Sequence, residues 1–155
     1  MNYISVTYPD VNNGDGCRVT LWVAGCTHHC KGCHNPQSWN FKSGKLFTDD
    51  VKKELFKVLE YSYVKGLTLS GGDPLDSFDD VFELVKEVKD VFKDKDIWLF
   101  SGYTLEEIKE KGFGSILEYI DVLVDGEFKE ELKDLTLAFR GSSNQRILRK
   151  INNDF

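Results

Sequence analysis

Short β-branched runs alternate with helical stripes of apolar residues along this chain. Residues 18–24 (RVTLWVA) carry the first clear strand pattern, after a turn-rich VNNGDG. Thr48 then reads as a helix N-cap, with Asp49 and Asp50 in the first turn where the helix dipole favours anions. Val51, Leu55, Val58 and Leu59 follow at the spacing of one buried helical face. Residues 66–70 (GLTLS) form the second predicted strand, ending in GGDP. Ser77, with Asp80 three residues on, reads as a weak capping box for a helix striped by Phe78, Val81, Phe82, Val85, Val88 and Phe92. Residues 97–100 (IWLF) make the third strand. Thr104 with Glu107 is a fuller capping box and opens a short helix through Leu105 and Ile108. Residues 120–126 (IDVLVDG) and 135–139 (LTLAF) are the fourth and fifth strands.

Strands alternating with helices predict a mostly parallel sheet with right-handed crossovers. A closed eight-unit barrel needs at least ~200 residues, so 155 residues predict one domain, 1–155. Its expected fold is α/β, a partial, open barrel of about five to six mostly parallel strands. A Rossmann-like sheet remains open on pattern alone, although GxGxxG is missing after the strands. The cysteine loop at 25–34, GGDP, SGY, DGE and RGSSNQR each follow a predicted strand. In parallel α/β folds the strand carboxyl ends share one edge, so these five segments are expected to converge on one site.

A formal charge of −6 argues against nucleic-acid or anionic-membrane partners. The local exception is Arg140, Arg146, Arg149 and Lys150, which suits either a solvated surface or an anion site. No apolar run approaches the ~20 residues of a membrane span. The opening MNYISVTYPD lacks a basic and apolar leader pattern, which makes the cytoplasm the expected compartment.

Three of the four cysteines, Cys26, Cys30 and Cys33, fall within eight residues (CTHHCKGC). That crowding suits a metal or cluster better than cross-links. Cys17 stands apart and reads as a small half-buried side chain rather than a fourth ligand. On spacing alone two chemistries compete. A tetrahedral zinc site would take the three thiols and one of His28, His29 or His34. A [4Fe–4S] cluster would take three thiols and leave one iron open. Convergence of four other strand-end loops favours the cluster, because a zinc knuckle has no use for them.

The C-x3-C-x2-C spacing after the first barrel strand resembles the radical S-adenosylmethionine enzymes, and GGDP resembles their GGE-type segment. The order NGDGCR, CKGCHNPQSWN, GLTLSGGDPL, KDIWLFSGY, DVLVDGEF and RGSSNQR is similar, along nearly the whole chain, to the activators of anaerobic (class III) ribonucleoside-triphosphate reductase. One departure is Asp15 and Cys17 within a segment that is commonly G-P-G-x-R in such activators; Arg18 keeps its place. The resemblance implies a [4Fe–4S] cluster on Cys26, Cys30 and Cys33 whose open iron chelates S-adenosylmethionine. One electron then splits the sulfonium into methionine and a 5′-deoxyadenosyl radical. That radical takes a hydrogen from the Cα of a glycine near the C-terminus of the reductase large subunit. A low-potential donor such as flavodoxin is implied as well, and a homodimer is compatible with the family.

The same resemblance suggests roles for further residues. Gly32, Cys33 and His34 are expected beside the adenine, and Gly71, Gly72 and Asp73 beside the methionyl group. Ser101, Asp125 and Asn144 are strand-end candidates for ribose or carboxylate contacts, with capping or turn duty as the competing role. Arg140 or Arg146 would neutralise the methionyl carboxylate or meet the partner protein. His28 and His29 are expected to be exposed loop residues, and Trp39 and Phe41 to shield the cluster or simply pack. Three rivals remain: a zinc-stabilised binding module without activity, an activator of another glycyl-radical enzyme such as pyruvate formate-lyase, and a radical enzyme acting on a small molecule. The short chain favours the reductase activator.

Overall fold

A computed structural model describes all 155 residues. Seven strands form one sheet: β1 (Asn2–Asp10), β2 (Arg18–Val23), β3 (Lys45–Leu46), β4 (Gly66–Gly71), β5 (Asp96–Phe100), β6 (Val122–Asp125) and β7 (Arg146–Arg149). Their order across the sheet is β3-β1-β2-β4-β5-β6-β7. The central strands β2, β4, β5 and β6 are parallel, whereas β1 and β7 flank them antiparallel, and β3 pairs antiparallel with β1. The sheet is therefore larger and more mixed than the expected five to six mostly parallel strands. Its four parallel members are largely buried and carry aliphatic side chains on the helix-covered face, whereas β2 and β4 place Arg18, Thr20, Thr68 and Ser70 on the other.

Helices α1 (Asp49–Leu59), α2 (Phe78–Val91) and α3 (Leu105–Glu110) cross over between these strands. Alternation within the strands divides the sheet into two faces. Val19, Leu21, Val23, Leu67, Leu69, Ile97, Leu99 and Leu123 pack with Leu55, Leu59, Val81, Leu84, Val85, Val88 and Ile108 of the helices in the main core. At roughly 1.5–3 kcal/mol per fully buried aliphatic side chain, this layer is the main favourable term for the fold. The opposite face carries Trp98, Val122 and Val124 against Phe100, Phe139 and Ile147. It also holds Arg18, Thr20 and Thr68, all fully buried.

Arg18 organises that second face. Its guanidinium donates to Thr68 Oγ1 (2.7 Å), Leu67 O (2.9 Å) and Asp15 O (3.0 Å), lies 2.7 Å from Asp96 Oδ1, and stands over the Trp98 ring. A buried charge is tolerable only when surrounded by partners in this way.

Two expected features are overturned. Residues 135–139 are not a strand: Asp134 Oδ1 accepts from Thr136 N and Oγ1, turning the chain, and Leu135 is 84% exposed. RGSSNQR consequently leads into β7 instead of following a strand. Ser77 makes no side-chain capping bond; the chain enters α2 through a 3-10 turn, Pro74–Ser77, capped by Asp73. Thr48 and the Thr104–Glu107 capping box form as expected.

Candidate active site

The carboxyl ends of β2, β4, β5 and β6 open onto a cleft of about 430 Å³ on the second face. Trp22, Ser70, Phe100 and Val124 make its floor, one from each parallel strand. Cys26, Cys30 and Cys33 line it, as do Gly71, Gly72, Asp73, Ser101, Gly102, Gly126 and, from the segment before β7, Arg140, Gly141 and Gln145. The convergence expected from sequence order is present.

The cysteine loop is held from below by the turn after β4. Gly72 N–H donates to Val23 O (2.9 Å), and Asp73 N–H to Gly25 O (2.8 Å). A Cβ on Gly72 would stand 2.4 Å from Gly25 O, and one on Gly71 would stand 2.3 Å from Val23 O, at a φ of +120°. Only glycine permits this approach. Asp76 Oδ2 accepts from Thr27 N (2.8 Å) and Thr27 Oγ1 (3.0 Å), while Tyr103 Oη donates to Asp76 Oδ1 (2.5 Å). Burial and that carboxylate push the Tyr103 hydroxyl up to about 12.

His28 is the largest departure from expectation. Its side chain is 7% exposed, not a surface feature. Nε2 meets Asp73 Oδ2 at 2.7 Å, and Nδ1 meets Glu127 Oε1 at 2.8 Å. Burial alone would favour the neutral ring, but the two carboxylates outweigh it and raise the imidazole to about 9. The ring sits edge-on to Tyr103 and over Gly102, where a Cβ would come within 2.7 Å. One side chain thereby ties the cysteine loop to the ends of β4, β5 and β6. His29 is exposed as expected, and stacks on Trp39.

Asp73 is 1% exposed and saturated: Ser101 Oγ (3.0 Å), Gly102 N (2.8 Å) and Leu75 N (3.0 Å) donate to it besides His28. Ser101 Oγ in turn accepts from Tyr103 N. Asp125 takes Leu105 N and the Arg146 guanidinium, which also pairs with Glu106. Asn144 bridges Ser142 Oγ and Glu127 O. Asp125, Asn144, Arg146 and Gly32 lie outside the cleft lining, whereas His34 lines it beside Phe128. Arg140 is the one Lys or Arg in that lining; it donates one bond, to Gln145 O, and its Nε is buried without a partner.

The donor chemistry tests the two metal readings. Burial raises the Cys26 thiol to about 11, helped by Asp73 and Asp76, and burial with Glu127 raises Cys30. Such thiols stay protonated until a cation displaces their protons. The one group of donor atoms lying within 4.8 Å of each other is Cys26, His28 and Asp76, which gathers a single cysteine. Both nitrogens of His28 are already engaged. Cys17 lies at the far end of β2, about 20 Å away by the strand rise, where its carbonyl accepts from Lys65 N. Three cleft thiols without a fourth suit a cluster with one exchangeable corner.

Sequence reasoning missed Asp76, Glu127, Gly102 and the brace through His28. Gly102 and Glu127 carried a signal, their places in SGY and DGE directly after predicted strands.

A family model described as a 4Fe-4S single cluster domain matches residues 12–148. Curated relatives are named anaerobic ribonucleoside-triphosphate reductase-activating protein. The Haemophilus influenzae protein is 47% identical over 96% of this chain and 98% of its own length. That of Enterobacteria phage T4 is 46% identical over 95% and 93%, and that of Escherichia coli K12 41% identical over 95% and 97%.

Proposed function

This chain belongs to the family of anaerobic ribonucleoside-triphosphate reductase-activating proteins, and we propose that it activates such a reductase with a [4Fe–4S] cluster and S-adenosylmethionine held in the strand-end cleft. The observation that supports this reading is the meeting of Cys26, Cys30 and Cys33 with the glycine-rich ends of β4 and β5 in one cleft. Held by Cys26, Cys30 and Cys33, the cluster would supply the one electron needed to break the sulfonium S–C5′ bond, leaving methionine and a 5′-deoxyadenosyl radical that would take a hydrogen atom from a glycine Cα of the reductase.

The chain's own residues bind, orient and shield. Cys26, Cys30 and Cys33 hold the cluster. His28, Asp73 and Asp76 fix the loop that carries them, so Asp73 and Ser101 act as braces from the cleft wall. Gly71 and Gly72 leave backbone, not side chains, beside the methionyl group, and Cys33 and His34 flank the nucleoside. Arg140, with its unpartnered Nε, takes the methionyl carboxylate by a charge-assisted bond. Asp125, Asn144 and Arg146 support the walls through the bonds they already make. Phe128, Leu135 and Phe139 line the opening and keep water from it. No helix is long and apolar enough to cross a membrane; a cytoplasmic site of action belongs to the same proposal, as does a low-potential electron donor.

Anaerobic reconstitution with iron and sulfide, reduction, and addition of S-adenosylmethionine test the reading. Uptake of about four irons per chain, an electron paramagnetic resonance signal altered by the nucleoside, formation of 5′-deoxyadenosine and a glycyl radical on the reductase are expected. Tight stoichiometric zinc with no iron uptake would overturn it.

A further inference from the structure

Gln145 lines the cleft, yet the activation chemistry described above gives it no part. Its Oε1 accepts from Gly141 N (2.8 Å) and Ser142 N (3.2 Å), and its Nε2 donates to the carbonyl of Gly126 (2.9 Å), the first residue after β6. A primary amide suits this place because one end accepts while the other donates. Turned over, it would set its own N–H groups against two others. Ser142 is fully buried, so no water can replace Oε1 at its N–H. Residues 140–145 belong to no helix or strand, and their path is fixed by such bonds alone. Ser143 N donates to Leu132 O (2.9 Å) and Asn144 Nδ2 to Glu127 O (2.8 Å) in the middle of the loop, whereas Gln145 holds its two ends together.

The loop closed in this way carries Arg140. Arg140 Nη1 donates to Gln145 O (3.1 Å) across the base of the loop. Gln145 therefore meets Arg140 through its carbonyl, and the next two residues, Gly141 and Ser142, through its amide. Asp134 lines the same cleft, but its Oδ1 is turned to Thr136 N and Oγ1. The Arg140 guanidinium has one neutral acceptor and an unpartnered Nε, so its charge stands in the cleft wall uncompensated. Such a group favours an anionic oxygen.

We propose that Gln145 is a positioning residue whose amide closes the 140–145 loop and so presents Arg140 to the carboxylate of S-adenosylmethionine. Gln145 has this role on the reading of the cleft as the site of cluster and nucleoside. It acts through Arg140 and touches no reacting atom. Nucleoside affinity should then depend on Gln145 only while Arg140 is present, a coupling that a mere support of the fold would not show. The carboxylate is held alike before and during cleavage of the sulfonium, so losing its partner raises KM and leaves kcat nearly unchanged.

Wild type, Arg140→Met, Gln145→Met and the double variant are reconstituted with iron and sulfide. Binding of S-adenosylhomocysteine, which keeps the carboxylate and is not cleaved, is measured by equilibrium dialysis. Arg140→Met should weaken it at least about 10-fold and Gln145→Met about 5- to 10-fold. The double variant should match Arg140→Met to within about twofold. KM for S-adenosylmethionine in 5′-deoxyadenosine formation should rise in parallel, with kcat within about threefold of wild type. Hydrogen exchange over residues 140–145, followed by mass spectrometry, should quicken in Gln145→Met, with iron content unchanged. Additive losses in the double variant overturn the proposal, because Gln145 would then act on something other than Arg140. Unchanged binding in either single variant overturns it too, whatever the other does. Lost iron in Gln145→Met would make the residue a support of the cluster loop and has the same consequence. A wild type that takes up no iron removes the cluster reading together with the ligand assigned here, whereas an iron-loaded wild type with unaffected variants sinks the role of Gln145 alone.

Discussion

Gly72 shows how a single absent methyl group builds this site. Its virtual Cβ lies 2.4 Å from Gly25 O and 3.0 Å from Ser38 O, both backbone atoms that cannot swing aside. Gly72→Ala should lower unfolding free energy by about 2–3 kcal/mol and reduce iron uptake, measured by urea denaturation and iron analysis. Gly114→Ala, whose nearest neighbour would be 3.7 Å away, should change stability by less than about 0.5 kcal/mol. Asp10 supplies a pH dependence at the same scale. It is buried, which alone would raise its pKa, yet bonds from Asn12 N, Asn13 Nδ2 and Thr20 Oγ1, each 2.8 Å, hold it below 3.8. A carboxylate depressed on folding stabilises above its unfolded pKa and ceases to do so as pH falls through the folded value. Stability should therefore drop on acidification below about pH 4, and Asp10→Asn should flatten that part of the profile in urea unfolding from pH 2.5 to 6.

Among the elements, the two helix starts separate a capping pattern from a formed cap. Thr104 and Glu107 exchange both bonds of the capping box, whereas Ser77 caps nothing with its side chain. Thr104→Ala should cost about 1 kcal/mol, and Ser77→Ala under about 0.5 kcal/mol, in paired denaturation curves. The same contrast explains what the sequence made legible. β2, β4, β5 and β6 are short, largely buried runs with aliphatic residues at alternate positions, a pattern that shows locally. β1 mixes exposed and half-buried positions and contains Pro9, and β7 has the pattern exposed, half-buried, half-buried, exposed; neither resembles a central strand. LTLAF has strand composition, but Asp134 turns it and no neighbouring strand pairs with it. The cysteines and GGDP were legible because their spacing is local. The brace at His28 was not, because Asp73 and Glu127 lie 45 and 99 residues away in the chain.

At the scale of the whole molecule, β2 runs the full depth of the parallel layer and separates the four cysteines into two groups. Cys17 precedes its first residue, Arg18, and Cys26 follows its last, Val23, by three positions. Six residues of strand at about 3.3 Å each put the two ends near 20 Å apart, beyond the reach of one cluster. Parallel order puts the carboxyl ends of β2, β4 and β5 on one edge of the sheet, with β4 next to β2, so the glycine-containing turns can meet only the later group. The fold therefore divides the four thiols three to one. Cys26→Ser, Cys30→Ser and Cys33→Ser should each abolish stable uptake of a four-iron cluster. Cys17→Ser should retain wild-type iron and an unaltered low-temperature paramagnetic signal. Iron and acid-labile sulfide analysis of the four anaerobically reconstituted variants decides this. Loss of iron in Cys17→Ser with an intact thermal melt would mean that a fourth thiol reaches the cluster, leaving no open corner for the nucleoside. Retention of iron with loss of one loop cysteine would show that another side chain of the cleft serves as ligand, with Asp76, whose carboxylate lies within 4.8 Å of Cys26 Sγ, the first to substitute.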